Sequence, residues 1–493
     1  MKKIMNRINF RALGVVFSMS ILYCIGLIIS GRNYLDDYGR YTHGYTSWSS
    51  NGRPFADLVM SILNLGNPIV DISPLPLIFA LLSLSLMGIM IARKFAKDAN
   101  IMAMSAISIM IIANPFLLEN LSFKYDVLAM SLSMLVISLP FIAVRETTSN
   151  TWRFIISSAC VFVSLGLYQS SIGTFIILTV LECICISATI SRSTKKCIFN
   201  AAIRAAQLVV GYMFYNFIIV RTLINDEYTK SHSEIIPFNG DGLEIAIKNL
   251  LGYIDLLNNY VNSLPKLVVY FYFIIVATCS LYCFIFFIKK HKNYFGAALI
   301  LISPAAFVLF SFAHFLILKE PVLSARVMTS FSATLISFAV LISICVKNNK
   351  ARTVAILPIF GCSMILAMSY SNASKAQNVK DDQVAQSIYL ATSTKLKNVR
   401  YVYFTGEIRF AEQRKLAISR FPVLADPLKS YFGKDQFWSS YMLTYNGVHV
   451  NSKILSQKEI EDICSSPPQI VTTDYSIHSV GDIMIISLNT PCA

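Results

Sequence analysis

The chain has 493 residues, of which 55% are hydrophobic and only 14% are charged. A soluble domain carries about 25% charged residues, so this composition excludes one large soluble core and predicts a polytopic membrane protein. The formal net charge is +15. The basic residues form short clusters between apolar runs, as topology signals do, and this pattern argues against a nucleic-acid partner.

Apolar runs long enough to cross a membrane follow one another over the first three quarters of the chain. A spanning helix needs about 20 apolar residues. Runs free of Asp, Glu, Lys and Arg occupy 12–31, 72–92, 99–118, 127–144, 205–220, 267–288, 293–318, 327–346 and 353–374. The stretch 154–191 contains one charge, Glu182, and is long enough for two helices with a break at YQSSIG, residues 168–173. The sequence therefore predicts about eleven transmembrane helices, and the first is too long for a cleaved signal peptide.

The basic residues predict the orientation of these helices. With the N-terminus in the cytoplasm, nineteen Lys and Arg fall in the inside segments and ten in the longer outside loops. This is the asymmetry of the positive-inside rule. The predicted outer regions are the loops 32–71, 114–126, 221–266 and 319–326, together with the C-terminal tail.

The tail, residues 375–493, differs in composition from the membrane part, residues 1–374. Its pattern predicts helices at KDDQVAQSIYLATSTKLKN, FAEQRKLAISRFP and SQKEIEDIC, a strand at VRYVYFTGE, and two strands around the Gly-Asp turn of IVTTDYSIHSVGDIMIISLN. We therefore expect a small α/β domain on the outer face. Cys464 and Cys492 are the only cysteines of the tail, and an oxidising compartment would permit a disulfide between them; two free thiols are the alternative.

The first outer loop begins RNYLDDYGRYTHGYTSWSSNGRPF, residues 32–55, directly after an apolar helix. Asp36 and Asp37 are adjacent acids at a membrane exit, where ionisable groups are functional candidates. One carboxylate can act as general base toward a sugar hydroxyl while the other orients it, or the two can hold a divalent metal such as Mg²⁺ or Mn²⁺. The alternative is a solvated helix end, or ion pairs with Arg32 and Arg40.

Basic and aromatic residues of the outer loops are candidates for substrate binding. Guanidinium groups suit phosphate recognition, which makes Arg40 and Arg53 candidates, with anchoring to lipid headgroups as the alternative. Aromatic rings of the first loop can stack on sugars, or can belong to the interfacial aromatic belt. The remaining candidates lie in NPFLLENLSFKYD, in YQSSIG and in KEPVLSAR, and they are Glu119, Lys124, Asp126, Tyr168, Gln169 and Arg326.

Several common site motifs are absent from the sequence. No HExxH and no CxxC pattern occurs, so no zinc site is predicted. GxGxxG and P-loop patterns are also absent, so no nucleotide donor is indicated. Chemistry on the outer face of a membrane would then use a donor that is carried by a lipid.

The chain resembles the GT-C class of membrane glycosyltransferases, and more specifically the bacterial O-antigen serotype-converting glucosyltransferases of the type II Gtr family. The resemblance lies in YLDDYGR at 34–40, NGRPF at 51–55, NPFLLENLSFKYD at 114–126 and YQSS at 168–171. These stretches cover much of the first third of the chain. The later helices are similar only in architecture.

The resemblance implies a GT-C-like fold and an inverting transfer of glucose from undecaprenyl-phosphate glucose to lipid-linked O-antigen. It implies a site at the periplasmic face of the bacterial inner membrane, a cytoplasmic N-terminus and a periplasmic C-terminal domain. A companion flippase and a polyprenyl-phosphate glucosyltransferase would be partners. The resemblance assigns the catalytic acid to Asp36 or Asp37, with a preference for Asp37 because it lies nearer the arginines, and assigns the donor phosphate to Arg326, Arg40, Arg53 and Lys124.

Three other functions remain open from the sequence. A transporter or flippase for a lipid-linked glycan would place charged residues in its helices, whereas here they collect in the outer loops. A non-catalytic assembly subunit would not need an acid pair beside a membrane exit. A GT-C enzyme that transfers another sugar would share all of these features.

Overall fold

The computed structural model describes residues 9–144, 147–189, 194–224, 230–237, 239–395, 399–433, 437–489 and 492, and most of them are helical. The helices up to residue 395 are, in chain order, α1 (Phe10–Ser30), α2 (Asp37–His43), α3 (Pro54–Leu63), α4 (Leu75–Phe95), α5 (Ile101–Ile109), α6 (Leu117–Ser122), α7 (Val127–Ile142), α8 (Asn150–Leu167), α9 (Ile172–Thr189), α10 (Thr194–Tyr215), α11 (Arg221–Leu223), α12 (Gly240–Ser263), α13 (Lys266–Lys289), α14 (Tyr294–Phe310), α15 (Phe331–Cys345) and α16 (Asn349–Lys395).

Eight helical segments of the described chain are long and apolar enough to cross a membrane. They include or extend α1, α4, α8, α9, α10, α13, α15 and α16. The predicted division of 154–191 into two helices is confirmed, because α8 ends at Leu167 and α9 begins at Ile172, with a short 3₁₀ turn between them. These segments are consistent with a membrane protein built from apolar helices, as the sequence predicts.

The predicted count of eleven spans is not confirmed. The predicted span 99–118 is interrupted, because α5 ends at Ile109 and the side chain of Asn114 accepts a hydrogen bond from the backbone of Phe116. The spans predicted at 127–144 and 293–318 are represented by α7 and α14, which have 16 and 17 residues. These two helices are apolar but shorter than the roughly 20 residues that a straight crossing requires.

Glu182, the charge inside a predicted span, is paired with another charge. Its carboxylate lies 2.9 Å from Nε of Arg204 and also accepts a hydrogen bond from Asn200. The guanidinium of Arg204 stacks on the ring of Phe141, 4.3 Å from its centroid. A paired and stacked charge of this kind fastens α9 to α10 and α7, and we assign it a structural role.

The C-terminal part contains a five-stranded sheet with helices packed around it. Its elements are β1 (Tyr401–Gly406), α17 (Glu412–Arg420), α18 (Trp438–Tyr445), β2 (Asn451–Ser452), α19 (Gln457–Cys464), β3 (Ile470–Val471), β4 (Tyr475–Val480) and β5 (Ile483–Leu488). The strand order is β2-β1-β5-β4-β3. β1 pairs parallel to β5, while β4 and β5 form an antiparallel hairpin around Gly481 and Asp482. The strands and helices predicted for the tail are found, and α18 is an additional helix that the sequence did not indicate.

No helix end marks the predicted boundary at 374/375, because α16 runs without interruption from Asn349 to Lys395. Residues of the first loop, of the neighbouring segments around Phe123 and Tyr168, and of the tail share one hydrophobic cluster. Its members include Tyr34, Leu35, Tyr38, Phe123, Tyr168, Ile388, Phe404, Tyr431, Met442 and Leu443. The tail therefore builds part of its core from the membrane part, and the two pack as one unit around the first outer loop.

Cys464 and Cys492 are joined in the structure, with their Cα atoms 5.4 Å apart. The bond connects Cys464, at the end of α19, to Cys492, which follows β5 in the chain. The two cysteines are 28 positions apart. We expect replacement of both cysteines by serine to lower the free energy of unfolding of the tail by about 2–4 kcal/mol, because the unfolded chain gains entropy. Thiol alkylation followed by mass spectrometry, with limited proteolysis at increasing temperature, measures both the bond and its effect. Two alkylated thiols in unreduced wild-type protein would contradict the prediction.

Candidate active site

Asp37 is buried at the start of α2 and connects the loops 32–71 and 114–126. Its side chain is fully buried. Oδ2 accepts hydrogen bonds from the backbone N–H groups of Tyr34 and Lys124, both at 2.9 Å, and Oδ1 lies 3.4 Å from the backbone nitrogen of Tyr125. The carboxylate therefore fixes the backbone of residues 124–125 against the first loop.

Burial raises the pKa of Asp37 to about 7, although the two backbone N–H groups act in the opposite direction. Because the folded state holds this proton more tightly than the unfolded state, the group stabilises the fold below about pH 4 and loses that contribution as the pH rises to about 7. We expect the unfolding temperature of the detergent-solubilised protein to fall between about pH 4 and pH 7, and to fall less in Asp37→Asn. Asp36→Asn is the matched control, and an equal slope in Asp37→Asn and wild type would contradict the prediction.

Asp36 precedes α2 and is the more accessible acid of the pair, with 38% of its side chain exposed. Its Oδ1 accepts a hydrogen bond of 3.0 Å from the indole Nε1 of Trp438, a residue of α18. Nη1 of Arg40 lies 3.9 Å from its Oδ2. Asp36 therefore contacts Trp438 of the tail and Arg40 of α2, and it retains access to solvent.

Arg40 and Asp126 form a buried charged pair beside the acid pair. Nη1 of Arg40 lies 3.5 Å from Oδ2 of Asp126, and its guanidinium lies 4.2 Å from the ring centroid of Trp48. The indole of Trp48 donates a hydrogen bond of 2.6 Å to the other oxygen of Asp126. Both charged side chains are more than 90% buried, so we assign this pair to the packing beneath the site rather than to contact with a ligand.

Arg53 reaches the same cluster from the start of α3 and is 26% exposed. Its Nε donates to Oε1 of Gln169 at 3.0 Å, and its guanidinium lies 4.7 Å from the ring centroid of Tyr168. Its Nη1 lies 4.0 Å from Asp126. Of the two arginines in this cluster, Arg53 is the one that can still approach a ligand.

Glu119 and Tyr168 hold the backbone of the loop 319–326. Glu119 is buried, and its Oε2 accepts hydrogen bonds of 2.7 Å from the hydroxyl of Ser324 and from the backbone N–H of Arg326. The hydroxyls of Tyr34 and Tyr168 donate to Glu119 and to the carbonyl of Arg326, at 3.2 and 2.9 Å. The predicted residues Glu119 and Tyr168 therefore position Arg326 rather than point to a free surface.

A cavity of about 460 Å³ lies at the C-terminal end of α1. Lys124 lines it with its Nζ 3.0 Å from Oδ2 of Asp71, and these two side chains are 17% and 20% exposed. One part of the lining is apolar and consists of Leu27, Ile28, Pro74, Leu77, Leu121 and Phe123. The other part is polar or charged and consists of Ser30, Arg32, Tyr34, Tyr41, Asp71, Ser73, Ser122, Lys124 and Ser374. Such a lining suits a ligand with a hydrocarbon end and an anionic end.

The acid pair does not fit the divalent metal considered from the sequence. The oxygens of Asp37 accept backbone N–H groups, and Asp36 faces an indole N–H and a guanidinium. These N–H donors and the guanidinium of Arg40 occupy the carboxylate oxygens that a cation would need as ligands. Among the described residues, no group of three or more His, Cys, Asp or Glu is arranged to hold a metal ion.

The predicted site residues lie in one connected set of contacts around the first outer loop. The sequence did not indicate Trp438 or Asp71 as part of it. Trp438 lies 402 positions from its partner Asp36, and its only signal is that the chain has just three tryptophans. The predicted cysteine pair lies apart from this set, in the tail.

Comparison with known proteins places this chain in a family. Residues 25–337 match the family described as Glucosyl transferase GtrII. A protein of Salmonella phage P22, described as an uncharacterized 55.3 kDa protein in the gtrB 5' region, is 26% identical over 488 residues, which cover 97% of this chain and 98% of the relative. No solved structure matches the chain. Since the family match extends over more than half of the chain and includes both acids of the first loop, this protein belongs to the GtrII glucosyl transferase family.

Proposed function

We propose that this protein transfers a glucosyl group from undecaprenyl-phosphate glucose to a sugar of lipid-linked O-antigen, at the periplasmic face of the bacterial inner membrane. The observation that supports this most directly is the cavity at the C-terminal end of α1. Its lining combines an apolar wall with Lys124. Two of the lining residues, Tyr34 and Lys124, also donate backbone hydrogen bonds to Asp37. A donor with an isoprenoid chain and a phosphate fits this combination next to the acid pair.

In this proposal Asp36 is the general base. Its accessible carboxylate would take the proton of the acceptor hydroxyl while that oxygen forms a bond to the anomeric carbon of glucose. The bond from the anomeric carbon to the phosphate oxygen breaks, and the polyprenyl phosphate leaves with the electron pair from the opposite face. Inversion at the anomeric carbon follows from this single displacement.

Asp37 has a different part in the proposal. Its buried carboxylate holds the backbone of Lys124, so that the ammonium group is kept at the cavity while the neighbouring acid stays at the reacting centre. Arg40 supports Asp36 and Asp126 from inside, and Arg53 and Arg326 add positive charge for the developing phosphate. We thus assign binding to the lysine and the exposed arginine, and positioning to the buried groups.

The contribution of Lys124 to donor binding is testable. We expect Lys124→Met to raise the KM for undecaprenyl-phosphate glucose about tenfold or more, because a charged hydrogen bond to phosphate is worth about 1.5–3 kcal/mol. The KM for the glycan acceptor should not change. Transfer assays in membrane vesicles measure both constants. Lys319→Met, at an outer lysine paired with Glu234 at 3.1 Å, is the matched control, and equal donor KM values in the two variants would contradict the assignment.

The proposed function itself is tested on the polysaccharide. O-antigen is isolated from a strain that makes polyprenyl-phosphate glucose, with and without this protein, and is compared by mass spectrometry and linkage analysis. One additional hexose per repeat, identified as glucose in a single linkage, supports the proposal. An unchanged polysaccharide would overturn it. Addition of a different sugar would show that the protein transfers that sugar instead of glucose.

A further inference from the structure

Helix α18 of the tail lies directly on α2, the helix that begins at Asp37. A Cβ atom added at Gly39 of α2 would lie 2.6 Å from the hydroxyl of Tyr45 and 3.2 Å from the ring of Tyr441. A glycine at this position therefore permits the close approach of α18. Trp438, the first residue of α18, donates its indole N–H to Asp36.

The contact between these helices is rich in aromatic side chains that remain accessible. Tyr41 and Tyr445 meet with their ring centroids 4.9 Å apart, and Phe437 and Trp438 lie 4.4 Å apart. Tyr41, Phe437 and Tyr445 are 50%, 47% and 41% exposed. We call this set the α2–α18 aromatic cluster, and its members are Tyr41, His43, Phe437, Trp438, Tyr441 and Tyr445.

The composition of the cluster distinguishes a ligand site from ordinary packing. Rings that served only to join the helices would be buried, as Tyr38 is beneath them. Ligand sites combine aromatic surface with a few placed polar groups. Here the polar group is the carboxylate of Asp36. Contact with this carboxylate is unfavourable for an acyl chain, whereas a sugar hydroxyl can donate a hydrogen bond to it. The C–H faces of a pyranose can cover the rings while its hydroxyls reach the carboxylate, so a glycan fits this surface better than a lipid.

We propose that the α2–α18 aromatic cluster binds a pyranose ring of the acceptor glycan and presents its hydroxyl to Asp36. The position of Tyr41 supports this, because Tyr41 lines the cavity described above and also contacts Tyr445 of the cluster. The donor and acceptor regions would thus meet at Tyr41, which lies on α2, five positions after Asp36. This inference rests on the proposed function and adds to it the place where the acceptor binds.

The test separates binding of the acceptor from binding of the donor. Full-length protein in membrane vesicles is given undecaprenyl-phosphate [¹⁴C]glucose and purified lipid-linked O-antigen from the host strain. We expect Tyr441→Ala and Tyr445→Ala each to raise the KM for the O-antigen about tenfold, and Tyr441→Phe to keep the wild-type value. The donor KM should stay constant in all three. Tyr401→Ala is the control, since this half-buried tyrosine lies near Lys453 in the sheet.

Trp438→Phe tests the link between the cluster and the acid. This change keeps an aromatic ring and removes the N–H that Asp36 accepts, so we expect a lower kcat with little change in the acceptor KM. If the wild-type protein transfers glucose and the alanine variants keep its acceptor KM, the acceptor site lies elsewhere and the inference is overturned. If the wild-type protein transfers no glucose at all, the proposed function fails, and this result is distinct from a failure of the inference. A reduced amount of variant protein in the membrane is corrected for by quantitative immunoblotting.

Discussion

Replacing Asp36 by asparagine is expected to lower the rate of glucosyl transfer by about 10²–10⁴-fold, the range that a general base contributes. Asparagine keeps the oxygen that accepts the indole N–H of Trp438, so the change removes the base and preserves the local packing. The KM values for donor and acceptor should stay within a few-fold of wild type. Single-turnover transfer of labelled glucose in membrane vesicles, normalised to the amount of protein, measures this effect.

Asp37→Asn is the matched comparison, because it removes the same charge from the adjacent residue. We expect this variant to lose activity together with thermal stability, since an amide cannot accept all of the backbone N–H groups that the carboxylate accepts. Asp36→Asn should keep its stability. If instead Asp37→Asn is stable and inactive while Asp36→Asn is active, Asp37 is the base, as the sequence alone had favoured.

The different environments of the two acids explain why the sequence could not separate them. Successive residues of a helix project about 100° apart, so adjacent acids at a helix start face different surroundings. Asp37 turns toward the backbone of residues 124–125, whereas Asp36 turns toward α18 and solvent. Which acid faces inward depends on the residue at which α2 begins, and the sequence DDYGR does not fix that residue. The sequence indicated both acids as candidates, and their different surroundings could be seen only in the structure.

The helical fold was predictable wherever apolar length alone decides the structure. The helices α1, α4, α13 and α15 lie at the predicted runs, because about 20 apolar residues without a break have few other stable arrangements in a membrane. The count of eleven spans is not confirmed where local polar chemistry interrupts such a run. Asn114 ends an apolar stretch by bonding to the backbone of Phe116, and a count of charged residues does not register an asparagine.

Long-range contacts of the tail were not predictable either. The helix α18 carries serines and aromatic residues without a strong apolar period, and it is stabilised by packing against α2 rather than by its own sequence. Its contact with Asp36 spans most of the chain. The strands β1, β4 and β5 were found from the sequence because alternation and a Gly-Asp turn are local signals. The sequence therefore identified the loop with the acids, and the structure adds the helix that covers it.

The second large effect is expected at the ion pair that joins the first loop to the tail. Nη2 of Arg32 lies 2.8 Å from Oδ2 of Asp381 on α16, and the two side chains are 4% and 0% exposed. The same nitrogen donates to the carbonyl of Lys429, and Gln377 donates to the other oxygen of Asp381. Arg32 and Gln377 thus supply the partners that a carboxylate needs when it is removed from water.

We expect Asp381→Ala to lower the free energy of unfolding by about 3–5 kcal/mol, because it leaves the guanidinium of Arg32 buried without its counter-charge. Thermal unfolding of the solubilised protein, with protease cleavage of the tail as a second readout, measures the loss. Lys380→Ala is the matched control on the same helix. It removes a partly exposed pair with Asp474 at 4.0 Å, and such pairs contribute about 0–1 kcal/mol.

A double variant distinguishes the buried charge from the loss of packing. Arg32→Met combined with Asp381→Leu removes both charges and keeps apolar volume, so it should recover much of the stability that Asp381→Ala loses. This recovery is measured by thermal unfolding and protease resistance rather than by transfer, since Arg32 also lines the cavity proposed for the donor. If the double variant is as unstable as the single one, the pair is required for its hydrogen bonds to Lys429 and Gln377 rather than for its charge. If Asp381→Ala unfolds at the wild-type temperature, the tail does not depend on this pair for its attachment to the first loop.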